Sequence, residues 1–498
     1  MQQTAQNIAE TLALMKAAQM KAIPDEIAKA FTQSGSATTG LTFYDLEAPA
    51  KTLYPVITPL RNRIPRVGAG RGIQANWKAI TAINTTRVRS GVSEGNRGGV
   101  IATAVADYAA AYRGIGLEDF VTFEADYAAV EFDDVRARAT QGLLRSLMIA
   151  EEAVILGGNN SLALGTTPTP TLAASGTGGT LATQTLSVIC IALTLECFLD
   201  STVASGVPTS ANRTLADGTT EAYNAGAAQR STAATVSVTG PTGSATATVA
   251  PVVGAFGYAW YWGVGGSELL GAVTTINSVR MTAAAAGTQN ASAHGAADRS
   301  RESKIFDGLL TMCSIPALNS YRAVQATGTP GTGTPLTADG VGGVNEIDVA
   351  LRWFWDNYRL SPTRILVHAQ ELDNITKKVL VGNSAPAHRF TFNASQQGIN
   401  GGMLVTGYLN KFTMAGAQLI PIDLHPNMPP GTILFLTEEL PYPLSNVTDV
   451  MRIRTRRDYY QIEWPLRTRR YEYGVYADEV LQHYFPPSMG VITNIANG

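Results

Sequence analysis

The amino-acid sequence changes character abruptly between residues 165 and 300. This block of 136 residues holds ten charged side chains and no lysine, whereas the other 362 residues hold the remaining 66 charges. Short alternating apolar runs such as ATVSVTG and ATATVA are separated by Gly, Pro and Asn, a pattern typical of short strands. The block therefore predicts a β-sandwich domain inserted into a host chain of different composition.

The run GYAWYWGVGG, residues 257–266, is the most aromatic part of this block. Successive side chains of a strand alternate between its two faces, so Tyr258, Trp260 and Trp262 share one face. Three large side chains suit the inner face of a sandwich whose other strands carry small residues, and we interpret them as a core strand. An exposed glycan-binding surface is the alternative. The GVGG segment lacks the spacing and the following helix of a dinucleotide-binding loop.

The host segments on either side have helical and strand-like patterns. Apolar residues recur every three or four positions over residues 124–156, which predicts one long helix of about thirty residues. Asp133, Asp134, Glu151 and Glu152 form two pairs on this helix, and neighbours in sequence do not face each other, so we expect solvated carboxylates. After residue 300, helical and strand-like runs alternate. The host is therefore predicted to be α+β.

Basic residues concentrate in two segments of the host. Residues 61–115 predict a long two-stranded excursion with a glycine-rich tip, and such a hairpin is marginal in water unless it lies on another surface, such as a neighbouring subunit. In the strand that begins at Met451, alternate arginines share one face. Because the net charge is −2, pairing with carboxylates, within or between subunits, is favoured over contact with DNA phosphates. The candidate intersubunit or DNA-side residues are Arg61, Arg63, Arg66, Arg71, Lys78, Arg87, Arg89, Arg97, Arg452, Arg454, Arg456 and Arg457.

Several classes of function lack their sequence signals. The five histidines and three cysteines have no metal-ligand spacing, and neither a phosphate-binding loop nor a nucleophile elbow occurs. No apolar run is long enough to cross a bilayer, and the first residues do not resemble a secretory leader. We therefore predict no enzyme activity, no cofactor, no metal and no membrane contact.

The C-terminal run RYEYGVYADEVLQHYFPPSMGVITNI resembles the closing strand and tail of the major capsid proteins of tailed bacteriophages, which have the HK97 fold. The order of the host parts is similar to that family as well: an arm, a Gly- and Arg-rich loop, and a long helix followed by Gly-Gly. The segments FDGLLTMCSIPALNSYRAV and LTADGVGGVNEIDVALRWFWDNYRL are similar to the family's axial domain.

The resemblance implies an HK97-like α+β fold with an inserted immunoglobulin- or fibronectin-like sandwich. The implied parts are an N-terminal arm (1–60), an extended loop (61–115), a peripheral domain with a spine helix (116–164), the insert (165–300), a return to the peripheral domain (301–344), an axial domain (345–445) and closing strands (446–498).

The resemblance also implies self-assembly into pentamers and hexamers of an icosahedral shell, a virion capsid assembled in the host cytoplasm. The implied partners are further copies of the chain, a portal protein, a scaffolding protein, a decoration protein and double-stranded DNA, which the inner face would contact without regard to sequence. A protein nanocompartment shell of the same fold and a surface adhesin that uses the insert are the alternatives.

Overall fold

The computed structural model describes residues 55–83, 91–130, 134–381, 404–414, 416–443 and 445–498. Most of the predicted N-terminal arm, Arg87, Arg89 and Asp133 lie outside the described residues. Residues 55–123 and 136–498 form one compact unit, which includes the charge-poor block.

Helices and strands are mixed along the described chain, which confirms the predicted α+β class. The helices are α1 (Pro59–Arg63), α2 (Phe123–Ala128), α3 (Val135–Gly157), α4 (Leu195–Leu199), α5 (Leu309–Ser314), α6 (Asn345–Tyr358) and α7 (Ala369–Val381). The strands before the charge-poor block are β1 (Arg66–Val67), β2 (Gln74–Ile83), β3 (Thr103–Ala111) and β4 (Arg113–Thr122).

The charge-poor block contains nine strands: β5 (Thr171–Ser175), β6 (Gln184–Leu193), β7 (Ser210–Thr214), β8 (Thr220–Asn224), β9 (Ala234–Val238), β10 (Ser244–Thr248), β11 (Gly257–Gly263), β12 (Leu269–Thr274) and β13 (Ser278–Met281). The later strands are β14 (Tyr321–Val324), β15 (Arg364–Val367), β16 (Gly407–Asn410), β17 (Gln418–Leu424), β18 (Ile433–Leu436), β19 (Met451–Glu463), β20 (Arg470–His483) and β21 (Gly490–Thr493).

The long helix predicted for residues 124–156 is shorter in the structure. Helix α2 ends at Ala128, and α3 begins at Val135 and runs for 23 residues, about 34 Å at 1.5 Å per residue. Leu143 and Leu147 of the predicted apolar stripe are buried, whereas Ala150 of that stripe is exposed and Ile155 and Leu156 are buried instead. The apolar periodicity was thus a correct guide to the packed face in the middle of α3, but not to its end or to where the helix begins.

Two host sheets lie in the same compact unit. The first has the strand order β1–β19–β20–β4, and its long strands β19 and β20 are antiparallel. Side chains of this sheet, such as Ile453 and Leu481, share a buried cluster with Ile155 and Leu156 of α3. The second sheet has the order β14–β21–β18–β15–β17–β16 and packs against the apolar face of α6.

The charge-poor block folds into two sheets with the orders β13–β10–β5 and β12–β11–β6–β9, joined by a common buried cluster. The predicted sandwich is therefore present. In an immunoglobulin domain the first, second, fourth and fifth strands share one sheet, whereas here the first, fourth and seventh sandwich strands do. The predicted immunoglobulin or fibronectin order is thus not found, because alternation predicts strands and faces but not which strands hydrogen-bond to each other.

Several hydrogen bonds join the inserted block to the host. The backbone N–H of Asn277 donates to Asn494 Oδ1 at 2.8 Å, and Asn494 Nδ2 donates to Asn277 Oδ1 at 3.1 Å. The hairpin β7–β8 reaches β4, where Arg213 Nη2 donates to the Gly116 carbonyl at 2.6 Å. The inserted block is therefore integrated with both host sheets.

Strands β2 and β3 form a two-stranded sheet by themselves, which we call the ribbon. It is the excursion predicted within residues 61–115.

Candidate functional site

Glu151 and Glu152, near the C-terminal end of α3, are fully buried. The expectation that these carboxylates are solvated was wrong. Their partners come from a segment about ninety residues earlier and from β19, about three hundred residues later. Helical periodicity carries no information about such distant partners, so the sequence could not reveal that these charges are compensated.

Glu151 is the centre of an arginine–carboxylate cluster. Its carboxylate accepts from Arg61 Nε at 3.0 Å and also contacts the Arg66 guanidinium and the Tyr459 hydroxyl. Arg66 Nη2 lies 2.7 Å from Asp458 and 2.6 Å from Glu479. Burial acts to lower the pKa of Arg66, but the surrounding carboxylates outweigh it and raise that pKa. Arg66 is therefore a fixed cation shared by three carboxylates.

Glu479 is the least compensated member of this cluster. Its side chain is fully buried, and its Oε1 has no hydrogen-bond partner in the described part of the chain. Burial, followed by repulsion from Glu151, raises the pKa of Glu479 to about 8 despite the attraction of Arg66. Glu479 therefore holds its proton to a higher pH than an exposed carboxyl does.

Glu152 connects α1 to α3 through hydrogen bonds. It accepts the backbone N–H groups of Leu60 and Arg61 at 2.8 and 2.7 Å, donors that a helix start leaves unsatisfied. His425 Nδ1 accepts the backbone N–H of Asn427, so in the neutral ring Nε2 carries the proton and donates to Glu152 at 2.7 Å. One carboxylate thus joins α1, α3 and the loop after β17.

The predicted basic residues are mostly engaged within the chain. Arg63 lies 3.2 Å from Asp423, and Arg456 lies 3.0 Å from Asp478. Arg452 donates to Gln482 at 2.9 Å, and Arg457 stacks over Tyr460. The two carboxylates of β19 pair with arginines from outside that strand, Asp458 with Arg66 and Glu463 with Arg136.

The remaining predicted cations differ in their exposure. Arg71 and Arg97 are exposed. Lys78 is exposed on the ribbon and lies 3.5 Å from Asp107 of the paired strand. Arg454 is half-buried, and its Nε has no hydrogen-bond partner among the residues that the structure describes.

The ribbon presents apolar side chains to solvent. The exposed fractions are 68% for Ile80 and 54% for Val105, and Ile73 at its base is 80% exposed. Among the described side chains of the ribbon, those at its root are packed: Ala75 is buried and Trp77 stacks on Tyr108. The sequence predicted a marginal hairpin but not which of its side chains would be uncovered.

The aromatic run lies in β11, an inner strand of the four-stranded sandwich sheet. Tyr258, Trp260 and Trp262 are buried, and so is Tyr261 on the opposite face. The indole N–H of Trp260 donates to Thr274 Oγ1 at 2.9 Å, and that of Trp262 to the Ala283 carbonyl at 3.0 Å. These rings are therefore not available to stack on a glycan.

Within the described ranges, no group of three or more His, Cys, Asp or Glu side chains is arranged to hold a metal ion. None of the helices in those ranges is both long enough and apolar enough to span a bilayer.

Comparison with solved structures finds capsid shells. The capsid of a native GTA particle is 9% identical and has a TM-score of 0.41, with 94% of this chain and 100% of that chain covered. The capsid of cyanophage A-1(L) is 13% identical, with a TM-score of 0.38 and coverages of 95% and 98%. An encapsulin complex from Synechococcus elongatus is 14% identical, with a TM-score of 0.20 and coverages of 38% and 57%. Over most of its length, the chain is thus similar in structure to phage capsid proteins.

No protein-family model matches the sequence, and no curated protein matches it.

Proposed function

We propose that this chain is the major capsid protein of a tailed bacteriophage, a structural protein that assembles into pentamers and hexamers of an icosahedral shell. The observation that carries this proposal is the ribbon β2–β3, whose apolar side chains are uncovered in the single chain. Two strands without a third are at best marginally stable in water. A neighbouring copy that covers the ribbon would bury those side chains and order it.

The arginine–carboxylate cluster supports a structural role instead of a catalytic one. Glu151, Glu152, Arg61 and Arg66 are engaged with one another or with the backbone. Together they fix the segment that leads into the ribbon onto α3. If the base of the ribbon is held rigidly, the ribbon projects in one fixed direction towards a neighbouring subunit. A fixed direction favours a closed assembly.

Contact with double-stranded DNA is proposed for the cations that have no carboxylate within salt-bridge distance in the described residues. Arg71, Arg97 and Arg457 are of this kind and are exposed. Such contacts would be to phosphates, independent of sequence and weakened by salt. A portal protein, a scaffolding protein and a decoration protein are the further proposed partners, in a virion capsid assembled in the host cytoplasm.

Electron microscopy of the chain expressed alone tests the proposal. We expect closed particles or rings of five or six copies. Replacing Ile80 and Val105 by lysine should prevent their formation, because two charges would be buried unpaired at the interface. Val264→Lys, at an apolar residue that is 64% exposed in the insert, is the matched control.

A wild-type chain that stays monomeric at high concentration would contradict the proposal. Particles that enclose a protein cargo and no nucleic acid would instead identify a nanocompartment shell.

A further inference from the structure

The inserted block has a stem where the chain enters and leaves it. At the stem, Asn159 Nδ2 donates to the Ser300 carbonyl at 2.8 Å, and the backbone N–H of Leu164 donates to Ser300 Oγ at 2.9 Å. One such connection is sufficient for a domain that is only displayed on a host, because a domain whose chain ends lie close together can be inserted at a single point. Attachments far from the stem therefore indicate a second role.

The hairpin β7–β8 attaches the block to the first host sheet. Arg213 Nη2 donates to the Gly116 carbonyl of β4 at 2.6 Å, and the backbone N–H of Ala216 donates to Glu118 Oε2 at 3.0 Å. The Arg470 guanidinium of β20 contacts the Ala216 carbonyl. These contacts, which we call the hairpin attachment, join the block to two neighbouring strands of that sheet.

The hairpin is itself connected to the sandwich. Gln289 Nε2 donates to the Val207 carbonyl at 2.7 Å, just before β7, and Gln289 Oε1 accepts the backbone N–H of Val207 at 2.8 Å. The same Oε1 accepts the hydroxyl of the buried Tyr261 in β11 at 2.9 Å. The hairpin attachment is thus linked to the core strand of the sandwich.

The turn between β12 and β13 attaches the block to the second host sheet. Asn277 in this turn is fully buried, and Asn494, which follows β21, is 6% exposed. Besides their mutual hydrogen bonds, Asn277 Nδ2 donates to the Val249 carbonyl at 2.7 Å and to Thr327 Oγ1 at 2.8 Å. Asn494 Nδ2 donates to the Gln325 carbonyl at 2.7 Å. Every amide N–H of this pair has an acceptor, and a fully satisfied buried network specifies one arrangement.

The main chains also approach closely at this turn attachment. Gly331, in the host loop after β14, donates its backbone N–H to Ser278 Oγ at 2.9 Å. Its φ is +79°, and a Cβ at this position would lie 2.7 Å from the Arg280 backbone nitrogen. Only glycine permits this approach of the host loop to β13. The block therefore cannot slide on the second sheet without breaking the contact.

We propose that the inserted block is a brace, which holds the two host sheets at one angle and so restricts the assembled shell to one curvature. The hairpin attachment is on the first sheet and the turn attachment on the second, and the close-packed sandwich between them deforms little. A subunit with a fixed angle between its sheets meets its neighbours in one geometry, which closed symmetry requires. The effect on curvature rests on the proposed function, whereas the two attachments do not.

Amide hydrogen exchange of the chain kept unassembled by dilution tests the turn attachment. Asn277→Ala leaves the Asn494 amide buried without its partner, so exchange in β13 and β21 should become at least about tenfold faster, the effect of one hydrogen bond. Asn290→Ala is the matched control, because the Asn290 side chain accepts the backbone N–H of Ser292 at 2.7 Å within the block. If Asn277→Ala does not fold, Asn494→Gly breaks the same pair and keeps the left-handed backbone at φ +64°.

Electron microscopy of assembled particles tests the brace itself. Wild-type chains and Asn290→Ala should form particles of one diameter. Asn277→Ala, and separately Arg213→Met, which releases the hairpin attachment, should each give a mixture of diameters. Both variants are needed, because a brace that is fixed at one end leaves the angle free.

Particles of one diameter in both variants, with faster exchange in β21 of Asn277→Ala, would overturn the inference and leave the proposed function intact. So would a mixture of diameters in one variant alone or already in the wild type, or exchange in β21 that does not change. Wild-type chains that form no particles would overturn the proposed function and the effect on curvature with it.

Discussion

The strand β11 and the ribbon β2–β3 have similar sequence patterns, but the side chains of β11 are buried and the ribbon exposes apolar side chains to solvent. Both are β-branched or aromatic segments next to glycine-rich turns. The side chains Trp260 and Tyr261 of β11 are fully buried on its two faces, whereas Ile80 and Val105 of the ribbon are mostly exposed. The large side chains of β11 are therefore covered by other parts of the same chain, whereas Ile80 and Val105 of the ribbon are not. A single chain thus completes the sandwich and leaves the ribbon uncovered.

The largest expected loss of stability follows from a substitution in β11. Trp260→Ala should lower the free energy of unfolding by about 3–5 kcal/mol, because it removes a fully buried ring from a core that cannot refill the space. Denaturant unfolding followed by hydrogen exchange of β6 and β12 would measure it. Trp355→Ala, at a half-buried ring on α6, should cost clearly less. Equal losses in the two variants would mean that β11 is not the sandwich core.

The second largest loss of stability is expected in the arginine–carboxylate cluster that precedes the ribbon. Arg66→Met should lower the free energy of unfolding by about 3–5 kcal/mol, because Glu151 and Glu479 would lose their shared cation while still buried. The raised pKa of Glu479 already favours its neutral form, so the loss falls mainly on Glu151 and we expect the lower end of the range. Thermal unfolding would measure it, with exposed Arg71→Met as the control. A loss below about 0.5 kcal/mol would show that the cluster does not hold the root.

The third prediction is a pH dependence. Glu479 has its pKa raised to about 8 in the folded chain, so between about pH 4.5 and 8 the folded state binds more protons than the unfolded state. The contribution of Glu479 to stability is therefore present at low pH and lost as the pH rises towards 8. Glu479→Gln, which imitates the protonated acid, should flatten this slope. Melting temperatures at pH 5 to 8.5 would measure the slope.

Exposed Glu439→Gln serves as its control. If the slope of Glu479→Gln matches that of the wild type, Glu479 is ionised throughout this range and the prediction fails.

The smallest effect on folding is expected in the ribbon itself. Val105→Ala should change the free energy of unfolding of the unassembled chain by less than about 0.5 kcal/mol, since the side chain is 54% exposed. The same change should raise the protein concentration at which particles form. A loss above about 1 kcal/mol in the unassembled chain would show that the ribbon is packed within the chain.

The sequence predicted the parts of the fold that depend on local pattern. The α+β class, the two-sheet sandwich and the two-stranded ribbon are all present. The strand order of an immunoglobulin domain is not found in the sandwich, because neighbouring strands are chosen by long-range pairing that alternation does not encode.

The candidate site was less predictable for the same reason. Arg61 and Arg66 were selected for their charge, but their partner Glu151 was assigned to a solvated face of the helix. Glu151 is 90 positions from Arg61 and 85 positions from Arg66 along the chain. No helical or strand period extends over such distances.

The most direct test of the central claim is amide hydrogen exchange of β3, residues Thr103–Ala111, in the unassembled chain and in closed particles. If a neighbouring copy covers the ribbon, exchange in β3 should slow by at least about tenfold on assembly, while exchange in the buried strand β11 stays the same. Closed particles in which β3 exchanges as fast as in the free chain would contradict the claim that the ribbon is completed by its neighbour.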